Sequence, residues 1–204
     1  AWREKLASLV AAGSVDLLPG QVLEPTLDGE EGAGVTGLGL DLPASDPLNR
    51  GFLSYNGTNA ARIDGFTITG GNTGGAIIAN SFAHRLTISN NDMYGNQGVI
   101  HGGIRVGAPF LQLEGAGPWS FNTQVSIHHN SIKQNGALEV GGGGITFFTG
   151  SDRYAVDRNW ICGNFSQGDG AGISHFGLSR PLSGSIPNFI RNNFIKNNFT
   201  SGSF

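Results

Sequence analysis

The chain has 204 residues, enough for one domain with a core, and its 13% charged residues and net charge of −3 include no basic run to neutralise a phosphate backbone, so nucleic acid is not an expected partner. Its 34 glycines follow no Gly-X-Y period, which excludes collagen, and no apolar run reaches the roughly 20 residues of a membrane-spanning helix. The single cysteine, Cys162, excludes an intramolecular disulfide and fits a reducing compartment or a bacterial surface protein that does without such bonds.

The chain opens at Ala1 with no secretory pattern, so its start reads as processed or excised. Residues 1–50 read as an N-terminal cap and a first irregular coil. "WREKLASLVAAG" has helical apolar spacing closed by Gly13. "SVDLLPGQVLEP" reads as strand, Pro-Gly turn, strand. Residues 26–50 are irregular, with "LGLDL" as a strand.

From residue 51 onward the chain repeats itself. From Ile127 in "VSIHHNSIKQN", Asn130 follows at +3, Ile132 at +5 and Asn135 at +8. The same offsets give Ile88, Asn91, Met93 and Asn96; Val156, Asn159, Ile161 and Asn164; and Ile190, Asn193, Ile195 and Asn198. An earlier copy, "RIDGFTITGG", keeps Ile63 and Ile68 but has Phe66 and Gly71 at the asparagine positions. A glycine marker alternates with these copies and ends at Ile77, Ile104, Ile145 and Ile173. The alternating segments are too short for helices and too short to bury a core alone. Stacked as coils they bury one jointly, each hydrogen-bonding to the next. The period of 2 sends both aliphatic columns inward. Asn at each corner is expected to tolerate αL geometry and to bond the Asn of the neighbouring coil, so Asn91, Asn130, Asn159 and Asn193 form one ladder and Asn96, Asn135, Asn164 and Asn198 another.

Over residues 51–204 this pattern resembles the right-handed parallel β-helix proteins of the pectate-lyase-like superfamily. The resemblance implies an all-β, three-sided right-handed parallel β-helix (solenoid), with the short N-terminal helix capping its mouth. It fixes no activity, because the superfamily includes lyases, hydrolases, epimerases, adhesins and tail spikes.

The motifs of its enzymes are missing. The sequence has no Asp-Asp pair, as in the polygalacturonase-like hydrolases, and no Asp-Pro-His-Glu, as in the epimerases. The outward carboxylates Asp64, Asp92 and Asp157 are too scattered for a Ca²⁺ cage. The candidate catalytic residues are His128 with Asp157, and His175. On alternation His128 points outward beside Asp157 and Arg191 on adjacent coils, about 4.8 Å apart. A surface ion ladder is the favoured reading there, and a base oriented by Asp157 the rival. "GDGAGISHFG" faintly resembles the glycine–histidine segment of the hydrolases, but Asp169 and His175 complete no motif. Adjacent histidines on a strand point apart and no third ligand has suitable spacing, so no metal and no cofactor is expected. Of the sequons, "NGT" at Asn56 fits a loop, whereas Asn164 and Asn198 fall on the ladder.

Insertions at 105–124 and 174–187 fall at one corner and are expected to wall a binding edge, with Arg105, Phe110, Trp119, Phe121, His175, Phe176 and Arg180 as binding candidates. Packing of those aromatics onto the solenoid is the alternative. Trp160 and Phe194 share an outward position on successive coils and are expected to have a cover. The expected function is a secreted or cell-surface module of bacterial type, non-catalytic, that binds glycan or packs into a larger assembly, with no membrane insertion. A polysaccharide lyase, epimerase or hydrolase and a structural spacer or filament subunit are the alternatives. The chain also reads as part of a longer one, with further coils or self-association expected beyond Asn198.

Overall fold

In the computed structural model, the described residues are 33–38, 61–80, 83–107, 122–139, 141–148, 150–168, 170–176 and 187–202. The expected N-terminal helix, the strand pair after it and residues 39–42 of the expected "LGLDL" strand lie outside them. The strand described nearby is Val35–Leu38.

Every strand-to-strand pairing among the described residues is parallel, and successive passes of the chain stack as coils of a β-solenoid. Sheet A contains Val35–Leu38, Ile77–Asn80, Ile104–Val106, Ile145–Phe147 and Ile173–His175. Sheet B contains Arg62–Asp64, Thr87–Ser89, Ser126–His128, Ala155–Asp157 and Phe189–Arg191. Sheet C contains Thr67–Thr69, Asp92–Tyr94, Ser131–Lys133, Trp160–Cys162 and Phe194–Lys196. A fourth, narrow side, sheet D, adds the two-residue strands Gln97–Gly98, Gly136–Ala137, Phe165–Ser166 and Phe199–Thr200 between sheets C and A. Three main sides were expected; the fourth arises because the second asparagine corner is followed by one more bridged pair before the glycines.

The expected register holds residue for residue. Ile63, Ile88, Ile127, Val156 and Ile190 stand in one column. Ile68, Met93, Ile132, Ile161 and Ile195 form a second, and Val35, Ile77, Ile104, Ile145 and Ile173 a third. Members on the middle coils are fully buried, each worth about 1.5–3 kcal/mol relative to exposure. On the last described coil Ile190 and Ile195 are each 49% exposed, because no described coil lies above them.

The corners differ from expectation by one residue. Positive φ falls on the residue before each ladder asparagine: Gly65, Asn90, His129, Arg158 and Asn192 at one corner, and Gly70, Gly95, Gln134, Gly163 and Asn197 at the next. Each corner needs one αL residue to turn the chain from one sheet into the next. The asparagine after it then points inward to bond. The glycine marker has a steric cause: a Cβ on Gly103 would lie 2.2 Å from the Gly144 carbonyl, and one on Gly144 would lie 2.3 Å from that of Gly172.

Candidate functional site

Both asparagine ladders form as expected and are structural. In every ladder asparagine before the last described coil, the backbone N–H and Nδ2 donate to Oδ1 of the asparagine one coil on, as Asn130 does to Asn159 at 3.0 and 2.9 Å. Nδ2 also reaches back to a carbonyl of the preceding coil, such as Ile88 at 2.9 Å. In the first coil Phe66 and Gly71 lack the amide and donate only their N–H groups, to Asn91 and Asn96. The "NFS" and "NFT" asparagines, Asn164 and Asn198, are ladder members.

On the outer side of sheet B, His128 and Asp157 are register neighbours, yet Asp157 does not orient the imidazole. It takes Asn192 at 2.9 Å, Arg158 at 3.1 Å and Arg191 at 3.5 Å. The hydrogen bond from Asn192, followed by the two arginines, holds its carboxyl below the ordinary range. His128 instead meets His129, with the two Nδ1 atoms 2.9 Å apart. Partial burial, then the charges of His129 and Arg62, lower the His128 pKa. A surface network therefore joins Asp157 to Asn192, Arg158 and Arg191, with His128 paired to His129 outside it. Two coils before His128, Asp64 accepts from Ser89 and Asn90 at 2.7 Å and pairs with Arg62 at 2.9 Å, which brings its pKa down to about 2.

Sheet A corrects the reading of Arg105. Its strand runs through Val106, so the residue belongs to the sheet and not to an inserted loop. It stands in the outward column with Ile78, Thr146 and Ser174, but all four are buried, Arg105 to 1% exposure. Its Nε donates to the Gly107 carbonyl at 2.8 Å, and its guanidinium lies 5.9 Å from the centre of the Phe148 ring. Arg105 is thus a buried member of sheet A, in contact with Gly107 and Phe148. Phe176 packs with Phe148 at 6.0 Å, which favours the pinning role for this aromatic.

His175 ends the last described strand of sheet A, in the column of Val106 and Phe147, and is exposed. Its Nδ1 lies 2.8 Å from the Tyr154 hydroxyl, and Tyr154 stacks on Phe147 at 3.7 Å. Burial lowers the His175 pKa, against the opposing charge of Asp152. Burial also raises the Tyr154 pKa. Tyr154 was not among the sequence candidates, because 21 residues separate it from His175.

His101 was also missed. It is fully buried, and neither ring nitrogen makes a well-formed hydrogen bond among the described residues. Burial, reinforced by the charge of Arg105 and only partly offset by the Gly74 backbone, pushes its pKa down to about 3. The signal was available: the glycine marker puts Gly74, Gly142 and Gly170 where this coil has His101.

Sheet C and sheet D carry the exposed aromatic surface. Trp160 and Phe194 stack at 4.2 Å and 19°, with 50% and 44% of each exposed. Beyond the next corner Phe165 and Phe199 stack at 6.0 Å. Between these columns Lys133 pairs with Asp92 at 2.9 Å and lies 5.5 Å over the Tyr94 ring.

The binding candidates Phe110, Trp119, Phe121 and Arg180, the loop residue Asn56, and Asp169 lie outside the described residues. Among the described residues, no group of three His, Cys, Asp or Glu is placed to hold a metal, and no helix is long and apolar enough to cross a membrane. No family model matches the chain, and neither curated proteins nor solved structures match it.

Proposed function

We propose that the chain is a right-handed β-helix of the pectate-lyase-like kind that acts outside the cell as a binding module, holding polysaccharide on its outer surface. The observation that carries this reading is the Trp160–Phe194 stack, two flat rings open to solvent on a rigid sheet. Apolar rings beside polar groups suit the faces of sugar rings. The right-handed sense rests on the strong preference of parallel crossover connections. Affinity electrophoresis on a panel of glycans tests the reading. At least one glycan is expected to retard the native chain, and Trp160→Ala is expected to weaken that retention by on the order of tenfold, about 1.4 kcal/mol. Retention unchanged in Trp160→Ala removes the basis of the proposal.

One observation favours a second reading, an enzyme acting on polysaccharide. The Tyr154 hydroxyl and His175 Nδ1 form a proton-sharing pair with His175 at the surface, an arrangement suited to general acid–base chemistry. Release of unsaturated uronates or new reducing ends, lost in both Tyr154→Phe and His175→Ala, would select the enzyme over the binding module.

A further inference from the structure

The corner between sheets C and D is a shallow open groove of about 300 Å³. Its floor is the turn residues Gly95, Gln134 and Gly163, and its far bank holds Gln97 and Phe165. Glycines on three successive coils, Gly95, Gly136 and Gly163, keep the groove open. A Cβ added at Gly136 would meet nothing within 4 Å, and those at Gly95 and Gly163 would find their nearest atoms at 3.6 and 3.7 Å. The strip that contains the groove runs along the solenoid axis; on its last two described coils the Trp160–Phe194 stack stands along one margin and the Phe165–Phe199 stack along the other, and on the two coils before them the same columns hold Asp92 and Ser131, and Gln97 and Gly136. Successive rings are one coil apart, about 4.8 Å along the axis.

Charge decides what lies there. The strands of sheets C and D carry three charged side chains, Asp92, Lys133 and Lys196, and the first two neutralise each other at 2.9 Å. The groove itself is lined by glycines, side-chain amides and one phenyl ring. A polyanion would need a cation on each coil it crosses, whereas hydroxyl groups need amides that donate and accept. We infer that this strip takes an uncharged polysaccharide strand, laid along the solenoid axis with sugar faces on the aromatic columns and hydroxyls on Gln97 and Gln134. The inference rests on the proposed glycan-binding role and adds the charge class, the direction and the location of the ligand.

Gly136→Leu tests it. Gly136 is not among the positive-φ glycines and a Cβ there would meet nothing within 4 Å, so leucine is expected to project into the groove. The native chain and this variant are compared by affinity electrophoresis at low and high salt. The neutral probes are cellulose-type, mannan and xylan oligomers; the acidic probes are polygalacturonate and alginate. The expected result is retention by a neutral glycan that changes less than about twofold with salt and falls by about tenfold or more in Gly136→Leu, with the unfolding midpoint unchanged. Retention by acidic polymers alone, collapsing at high salt, overturns the charge class and leaves the glycan-binding role standing. Neutral retention that survives Gly136→Leu but is lost in Trp160→Ala overturns the groove and leaves the aromatic platform. No retention by any glycan overturns both proposals. If Gly136→Leu lowers the unfolding midpoint, Gln134→Ala is the second variant, with the same loss of neutral retention expected and unchanged retention overturning the groove.

Discussion

Replacing Asn130 by alanine tests the ladder where it is most buried. Asn130 is 2% exposed, and its Oδ1 accepts from the backbone N–H and Nδ2 of Asn91, both at 3.0 Å. Its Nδ2 donates to the Ile88 carbonyl at 2.9 Å and to Asn159 Oδ1 at 2.9 Å. Alanine removes these side-chain bonds and leaves the Asn91 N–H and the Ile88 carbonyl in the interior without them. Asn91 Nδ2 keeps the Ile63 carbonyl, and Asn159 Oδ1 keeps the N–H of residue 130, so neither is stranded. Two stranded groups at about 1–3 kcal/mol each give a loss of about 2–6 kcal/mol. At the last described coil the same change should do far less. Asn193 accepts from Asn159 and reaches the Val156 carbonyl, but it is partly open to water, which replaces the lost bonds. Asn193→Ala is expected to lose about 1 kcal/mol or less. Because solenoids unfold coil by coil, native-state hydrogen exchange at residues 87–91 and 126–130 is measured beside the urea midpoint. Equal losses in the two variants, or an Asn130→Ala loss below about 0.5 kcal/mol, would refute the claim that buried ladder bonds hold the coils together.

His101 makes the fold acid-sensitive. Its folded pKa of about 3 lies below the ordinary 6.5, so the unfolded chain binds the extra proton: the stability is complete above pH 6.5 and falls as pH drops from there toward 3. By pH 5 the loss should be about 2 kcal/mol, and His101→Gly should flatten the slope of stability against pH; a slope unaltered by that variant contradicts the assignment. His129 occupies the αL region at φ 55, so His129→Gly is expected to stabilise by about 0.5–1 kcal/mol, read from the thermal midpoint, and a destabilised variant would place the value of His129 in its contact with His128. Ile127→Asp puts an unpaired carboxylate at a fully buried site and should abolish folding; a soluble variant with native melting would refute the register.

The coil architecture was legible in the sequence because it is written locally. Ile127, Asn130, Ile132 and Asn135 sit within nine residues, and strand alternation with one αL residue per corner fixes which side chains enter the interior. Once several copies share those offsets, stacking in register is the arrangement that buries all of them. The residue that takes the αL turn was displaced by one, since asparagine suits both the turn and the ladder and only the hydrogen bonds separate the two roles.

Whether an outward residue reaches solvent was not written locally. Alternation placed His128 on the outside and the insertion pattern placed Arg105 on a binding edge, but Arg105 is buried while His128 remains at the surface. The difference depends on what packs over each sheet from elsewhere in the chain. Partner choice followed the same logic: Asp157 lies beside His128 in register, yet it is held by Arg158, Arg191 and Asn192, and the Tyr154–His175 and Trp160–Phe194 contacts join residues 21 and 34 positions apart. The sequence by itself determined which residues form the core and the ladders, because those follow from strand period and corner geometry within one coil. Only the tertiary structure decided which polar and aromatic side chains meet, which are covered and which face solvent, because those outcomes depend on the approach of coils separated by tens of residues.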